Sequence, residues 1–357
     1  MSIYKSFERD DIVSVRQLIN EAIAITGSVV SGTYSDENVK NFSHGMFQSI
    51  YDYPVLSSSA NSICQVFVGY SANSDLSSST NVQNAKKINL YNQFAQKLVG
   101  HDIDGTIREF DQDGDVLAGG SKLRECVFVT FDRLLVKDEL KKGNFNFKLY
   151  TGGAMTGALS SSTSIVDSDA TSTFLVNSPS GEYAVLSASN GFISQSSGHL
   201  VGDKVGLIYY QAGIAVLTAS LFNITGSTSG DQNTQDYGTF LSSSDMNAVL
   251  TGTTIQHAAD SLRGRWNDLD FNNTVEVNSR IYMCRVGSND FNYSANPTYT
   301  DSSKIRVKEV STDEPVAYIT TIGLHAPDGA LLAVAKLSEP IKKTPSVPLS
   351  LRTRLDY

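Results

Sequence analysis

Residues 316–324, VAYITTIGL, and residues 331–337, LLAVAKL, are β-branched and aliphatic runs joined through Ala326-Pro327-Asp328-Gly329. Proline fixes φ for the turn, Asp bonds its own backbone, and Gly accepts positive φ, so the pair reads as a β-hairpin. A third run closes the chain. Leu351, Thr353, Leu355 and Tyr357 alternate with Ser350, Arg352, Arg354 and Asp356. One face is largely apolar and the other charged, which is the pattern of a half-buried strand. The whole of 281–357 is the densest strand signal in the protein. A patterned strand at this point predicts pairing with the chain's own sheet or with a neighbour's, and Leu351, Leu355 and Tyr357 are its candidate contact residues.

Working back from this stretch, 357 residues are enough for one large or two ordinary domains with a substantial core. The formal net charge of −9 argues against a general nucleic-acid binder, which needs clustered Lys and Arg to meet phosphates. Only 18% of residues are charged, so solubility rests on Ser, Thr, Asn and Gly in many loops. Cys64, Cys126 and Cys284 sit apart in apolar runs with no CxxC pairing. They read as buried free thiols of a protein that folds in a reducing compartment. The first residues, MSIYKSFERDDIV, contain no apolar leader core, and no uninterrupted apolar run is long enough to span a bilayer. No membrane association is expected.

Along the chain, Asp10–Ala24 reads as a first helix. Ile12, Val15, Leu18, Ile19, Ala22 and Ile23 recur at helical spacing, Asp10 or Asp11 supplies a cap, and Gly27 follows. The next segment, 30–54, mixes Tyr34, Phe42, Phe47, Tyr51 and Tyr53 with turn residues and suits an extended arm or loop packed through aromatic anchors. A strand is expected at Cys64–Tyr70 and a second helix at Val82–Val99, with turns at Asp104-Gly105 and Asp113-Gly114. Strands follow at Glu125–Asp132 and Asn144–Tyr150, on either side of a charged turn at Lys137–Gly143.

Thr151–Thr173 is almost devoid of large side chains and reads as a loop or a set of short edge strands, the best candidate for a boundary or insertion. In KVGLIYYQAGIAVLTASLF, residues 204–222, Gly206 and Gly213 break the apolar run, predicting two strands around a bend. Asn223–Tyr237 is loop, and Ser244–Arg263 is helical with a break at Gly252. The expected class is α+β: mostly antiparallel sheet, a few packed helices and long Ser/Thr/Asn/Gly-rich loops. Its regions are 1–150, 151–270 and 271–357, all three of which could form one continuous domain.

A search for chemistry returns little. Asp111-Gln112-Asp113-Gly114-Asp115 begins like a Ca²⁺ loop, but Val116 and Lys122 stand where an EF-hand needs Gly and Glu. Asp and Gly serving turn geometry is the better reading. His44, His101, His199, His257 and His325 show no ligand spacing. There is no GxSxG, P-loop or GxGxxG context. Arg263-Gly264-Arg265-Trp266 has the residue types of a base-stacking contact, yet arginines at a helix C-terminus with a packed Trp explain it more simply. No catalytic residue, cofactor or metal is expected, and no nucleic-acid partner.

The terminal stretch resembles a known group. Asp290-Phe291-Asn292-Tyr293-Ser294, Asn296-Pro297-Thr298-Tyr299, Tyr318 to Leu324, Leu332 to Ser338 and Pro340 to Lys343 look like virion structural proteins of large contractile-tailed bacteriophages. So do Ser31 to Ser35, Gly45 to Pro54, Ser178 to Tyr183 and Gly206 to Gly213. The resemblance implies assembly in the virion with other tail proteins, in or around the baseplate wedge, in several copies, after synthesis in the host cytoplasm. It implies no catalytic residue. A neck or connector protein is the nearest alternative. A glycan- or receptor-binding virion protein would expose aromatics in 151–173 and 223–237, which carry none except Phe174 and Tyr237 at their margins. A tail-borne cell-wall hydrolase would need a carboxylate pair or a zinc site.

Overall fold

A computed structural model describes residues 4–25, 38–115, 119–152, 160–188, 204–222, 246–294, 300–301, 304–305, 310 and 312–357. The first elements are strands β1 (Ile12–Ile25), β2 (Val39–Asn41), β3 (Gln48–Tyr51) and β4 (Ser62–Tyr70), then helix α1 (Asn84–Leu98). Strands β5 (Phe110–Asp111), β6 (Lys122–Leu123) and β7 (Glu125–Phe131) follow, with α2 (Arg133–Val136) and β8 (Glu139–Leu140). Next come β9 (Asn146–Gly152), β10 (Ser160–Val166), α3 (Ala170–Thr173), β11 (Leu175–Ser178) and β12 (Gly181–Ala188). Strands β13 (Lys204–Tyr209) and β14 (Ile214–Thr218) precede helices α4 (Met246–Gly252) and α5 (Ile255–Arg265). The chain ends with β15 (Trp266–Val286), β16 (Thr300–Asp301), β17 (Lys304–Ile305), β18 (Ala317–His325), β19 (Leu331–Lys343) and β20 (Leu349–Asp356). The fold is mostly antiparallel β-sheet with a few helices, as its composition of β-branched runs predicts.

Two compact units emerge: a central one, Ile19–Val275, and a terminal one made of Met1–Leu18 and Glu276–Tyr357. The long strands β1 and β15 contribute residues to both.

In the central unit the strand order is β15-β9-β10-β12-β13-β14-β7-β4-β3-β2, antiparallel at each step. Its middle strands are buried on both faces, which is why ECVFVTF reads as a continuous apolar run. Val127, Val129 and Phe131 of β7 enter one core cluster with Val249, Leu250, Ile255 and Ala258 of α4 and α5. Cys126 and Phe128 point the other way, into a second cluster with Tyr91, Ala95 and Leu98 of α1. Both helical segments match the sequence periodicity, and Thr254 caps α5 by accepting from His257 N. The 204–222 run is indeed two strands, β13 and β14, paired across a bend at Gly213. Ser160–Val166 forms β10 between β9 and β12, inside the sheet and not at its edge. Residues 153–159 and 223–237 lie outside the described residues.

One buried cation locks this unit. Lys87 on α1 is fully buried, and its Nζ donates to the carbonyls of Val82 (2.9 Å), Leu250 (2.5 Å) and Thr253 (2.7 Å). The last two sit at the C-terminal end of α4, where a cation meets the negative end of the helix dipole. Burial pushes the Lys87 pKa down from 10.5 to about 8. The unfolded chain then holds the proton more tightly than the folded one between those values, so this residue makes stability rise with pH across that window. The full effect is about 3 kcal/mol. Urea melts from pH 7.5 to 10.5 should show Lys87→Met losing that rise; equal slopes in parent and variant would refute it.

The terminal unit corrects one expectation. Residues 10–24 are not a helix: Ile12–Ile25 is strand β1, preceded by a 3-10 turn at Arg9–Asp11. IVSVRQLINEAIAI fits helical spacing, but Val13, Val15, Ile19, Ile23 and Ile25 also fall on alternate positions. They are all β-branched, and β-branching costs rotamer freedom in a helix and none of consequence on a pleated strand. Asp11 caps nothing longer than the turn: its Oδ2 accepts from Glu8 N at 3.0 Å, and its Oδ1 takes Arg285 Nε at 2.6 Å.

The hairpin forms as read. Ala326 N donates to Ala330 O (2.8 Å), Gly329 N to Ala326 O (2.9 Å) and Ala330 N to Asp328 Oδ1 (3.0 Å), with Gly329 at φ +86°. β20 pairs antiparallel with β15 from Ser279↔Asp356 to Val286↔Leu349.

Candidate interaction surface

The terminal unit is unusual in what it leaves uncovered. Among the described residues its buried apolar side chains are Ile281, Val286, Ala317 and Leu324, and none belongs to either core cluster. Among the described residues, most of the large apolar side chains left exposed belong to this unit. Ile12, Val13, Val15 and Leu18 on β1 are each between 41% and 49% exposed. Tyr318 on β18 and Leu331, Leu332 and Val334 on β19 are at least half exposed. Soluble surfaces tolerate single apolar residues, but clusters on this scale mark contact sites.

The exposed strands are also open at their edges. Within this unit β15 has β1 on one side and β20 on the other, and no described strand pairs the outer edge of either. Ion pairs Asp11–Arg285 and Arg16–Glu276 run in opposite sequence senses along β1 and β15. Natural sheets blunt such edges with short strands, lysines or proline. β2 does so with three residues and Lys40, and β19 carries Lys336, Glu339, Pro340 and Lys342. β1 has fourteen residues and neither proline nor lysine. Its edge is a template for another strand.

Of the sequence candidates, Leu351, Leu355 and Tyr357 do share one face of β20 and its end, by period two. Leu351 is half-buried, Leu355 is 38% exposed and Tyr357 66% exposed. Tyr357 is held in place by its N–H to Asn278 O (2.9 Å) and by Arg280 over its ring (5.9 Å). An apolar face is therefore presented, ordered and largely uncovered.

The aromatic segment divides. Tyr34 lies outside the described residues. Phe47 packs on Phe67 in a tilted arrangement (5.0 Å) and touches Phe42 (4.9 Å) and His44 (4.9 Å). Phe42 is half-buried under Lys40 (5.3 Å), Tyr51 is half-buried in β3, and Tyr53 stands half exposed. So the segment from Asn38 onward forms the sheet's short edge β2–β3, packed through Phe47. Phe47→Ala should lower stability by about 2 kcal/mol, roughly half the cost of a fully buried ring. Tyr53→Ala should stay within about 0.5 kcal/mol. Chemical melts check both; equal losses would contradict this division.

The residues that might have carried chemistry are engaged elsewhere. Asp111 and Asp113 are ion-paired with Lys122 and Lys204. Arg263 is buried against Asp260 (2.8 Å), and Trp266 packs on Phe147 (4.9 Å). His44 stacks on Phe42, His325 lies 4.7 Å from the Tyr4 ring, and His199 lies outside the described residues. Among the described residues no three His, Cys, Asp or Glu side chains gather as a metal site would need, and no helix is long and apolar enough to cross a membrane. Cys64, Cys126 and Cys284 are free thiols; the first two are fully buried, and burial raises all three. Sequence reasoning missed the open edge of β1, although its β-branched alternation was available as a signal. No family model matches this chain, and no curated protein or solved structure is similar to it.

Proposed function

We propose that the chain is a structural protein of a contractile-tailed phage virion, assembling with other tail proteins in or around the baseplate wedge. The observation that carries an assembly role is the terminal unit, whose strands bury few apolar side chains among the described residues and keep two edges that no described strand pairs. Surface of this kind is stabilised by burial on a neighbour, at roughly 25 cal/mol per Å² of apolar area removed from water. The position within a phage tail rests on the resemblance of 290–343 and of the earlier segments. Function in this reading lies in holding partners in fixed geometry and not in bond chemistry.

The test is direct. Co-expressed with the tail proteins encoded beside it, the chain should enter a complex of defined stoichiometry, and the purified chain should not hydrolyse peptidoglycan, polysaccharide or nucleotides. Robust hydrolysis, or failure to enter any complex, would overturn the proposal.

A further inference from the structure

We infer that the outer edge of β1 is a seam between two copies of this chain, pairing antiparallel with the same strand of the second copy about Val15. This deepens the assembly reading and rests on it, while naming the partner as a second copy.

Three observations favour a copy over a different protein. The first is self-complementarity of the strand. Set antiparallel to itself about Val15, it places Ile12 opposite Leu18, Ser14 opposite Arg16, Val13 opposite Gln17 and Val15 opposite its own copy. Apolar side chains meet at Ile12–Leu18 and Val15–Val15, and no like charges oppose. The other open edge fails the same exercise: β20 set against itself about Thr353 places Arg352 opposite Arg354.

The second observation is charge. The terminal unit holds 13 Lys and Arg against 12 Asp and Glu, a net of +1, whereas the central unit holds 15 against 25, a net of −10. Two copies can meet through the near-neutral unit without repulsion, which the acidic unit would impose.

Area is the third. Along the seam itself Ile12, Val13, Val15 and Leu18, each 41–49% exposed, offer apolar side chains toward the ~800 Å² per partner of a standard stable interface. A strand ladder adds backbone hydrogen bonds that a shapeless apolar contact lacks.

Covalent capture tests the register. Opposed residues of an antiparallel pair lie ~4.5–5.5 Å apart at Cα, within reach of a disulfide. Full-length Val15→Cys treated with diamide should give a covalent dimer on a non-reducing gel. Val13→Cys should not, because its partner is Gln17 and its own copy is about four residues away, roughly 13 Å. The parent serves as control for the native thiols. In solution the parent should run as a dimer or larger species by light scattering, and Val15→Arg should weaken that association at least tenfold while keeping the parent circular dichroism spectrum.

The failures separate. A parent that is monomeric alone yet joins the tail-protein complex overturns this inference and leaves the proposed function standing. A parent that does neither overturns both. Self-association in which Val15→Cys gives no more cross-link than Val13→Cys overturns β1 as the seam.

Discussion

Gly206→Ala should cost at least about 3 kcal/mol, a large share of the ~5–15 kcal/mol that holds an ordinary domain together. A Cβ at Gly206 would lie 2.1 Å from the carbonyl oxygen of Val216 and 3.1 Å from the Cα of Leu217. Both are backbone atoms, so no side chain can swing aside. Gly206 pairs with Leu186 on one side and Leu217 on the other, and Leu217 is itself paired with Val127. The backbone has no direction in which to yield without breaking a second ladder. Gly252→Ala is the control: a Cβ there meets nothing within 4 Å, so stability should stay level or rise slightly. Urea unfolding of the two variants reads the contrast. A Gly206→Ala protein within about 0.5 kcal/mol of the parent would mean that β13 and β14 do not approach as closely as described.

Deleting residues 350–357 should unfold the terminal unit. The deletion removes nearly the whole β20 ladder, the Ser279–Asp356 side-chain bond (2.6 Å) and the Tyr357 N–H to Asn278 bond. It also takes away the strand partner of Ile281, one of the few apolar side chains this unit buries among the described residues. A fully buried aliphatic side chain contributes roughly 1.5–3 kcal/mol, and a unit with so few has little to spare. Hydrogen exchange should show loss of protection across Ala317–Lys343 with the β7 and β14 amides unchanged. Limited proteolysis should then cut the hairpin first. Unchanged protection of the hairpin would show that β20 contributes no stability to its unit, and retained assembly would remove it from the interface.

The hairpin was legible in the sequence because its turn carries its own instructions. Pro327, Asp328 and Gly329 each restrict or supply one backbone feature, independent of anything distant. Helices α1 and α5 were legible for a similar reason, since their apolar stripes and terminal signals are local. β1 was not, because IVSVRQLINEAIAI satisfies both periods and its pairing strand begins only at Trp266. The first half of β15 was hidden by a bulge. The register shifts between Trp266 and Asp268, so buried Trp266 falls out of phase with Leu269 and Phe271 and the alternation breaks. The aromatic segment showed that rings were present but not which way they faced; Phe47 turns in and Tyr53 out, and only the sheet edge decides that. The open surface was half legible. Alternation on β20 marks an apolar face, but nothing in a sequence says whether the same chain covers it.

The pairing of the chain's first strand with one near its end has a consequence for synthesis on the ribosome. β1 leaves the exit tunnel early, yet β15 follows only after the intervening residues have been made. At ~5–20 residues per second the wait is about 10–50 s. Throughout that interval both edges of an apolar, β-branched strand are bare. Chains released before Trp266 cover neither edge, whereas finished chains cover one of the two.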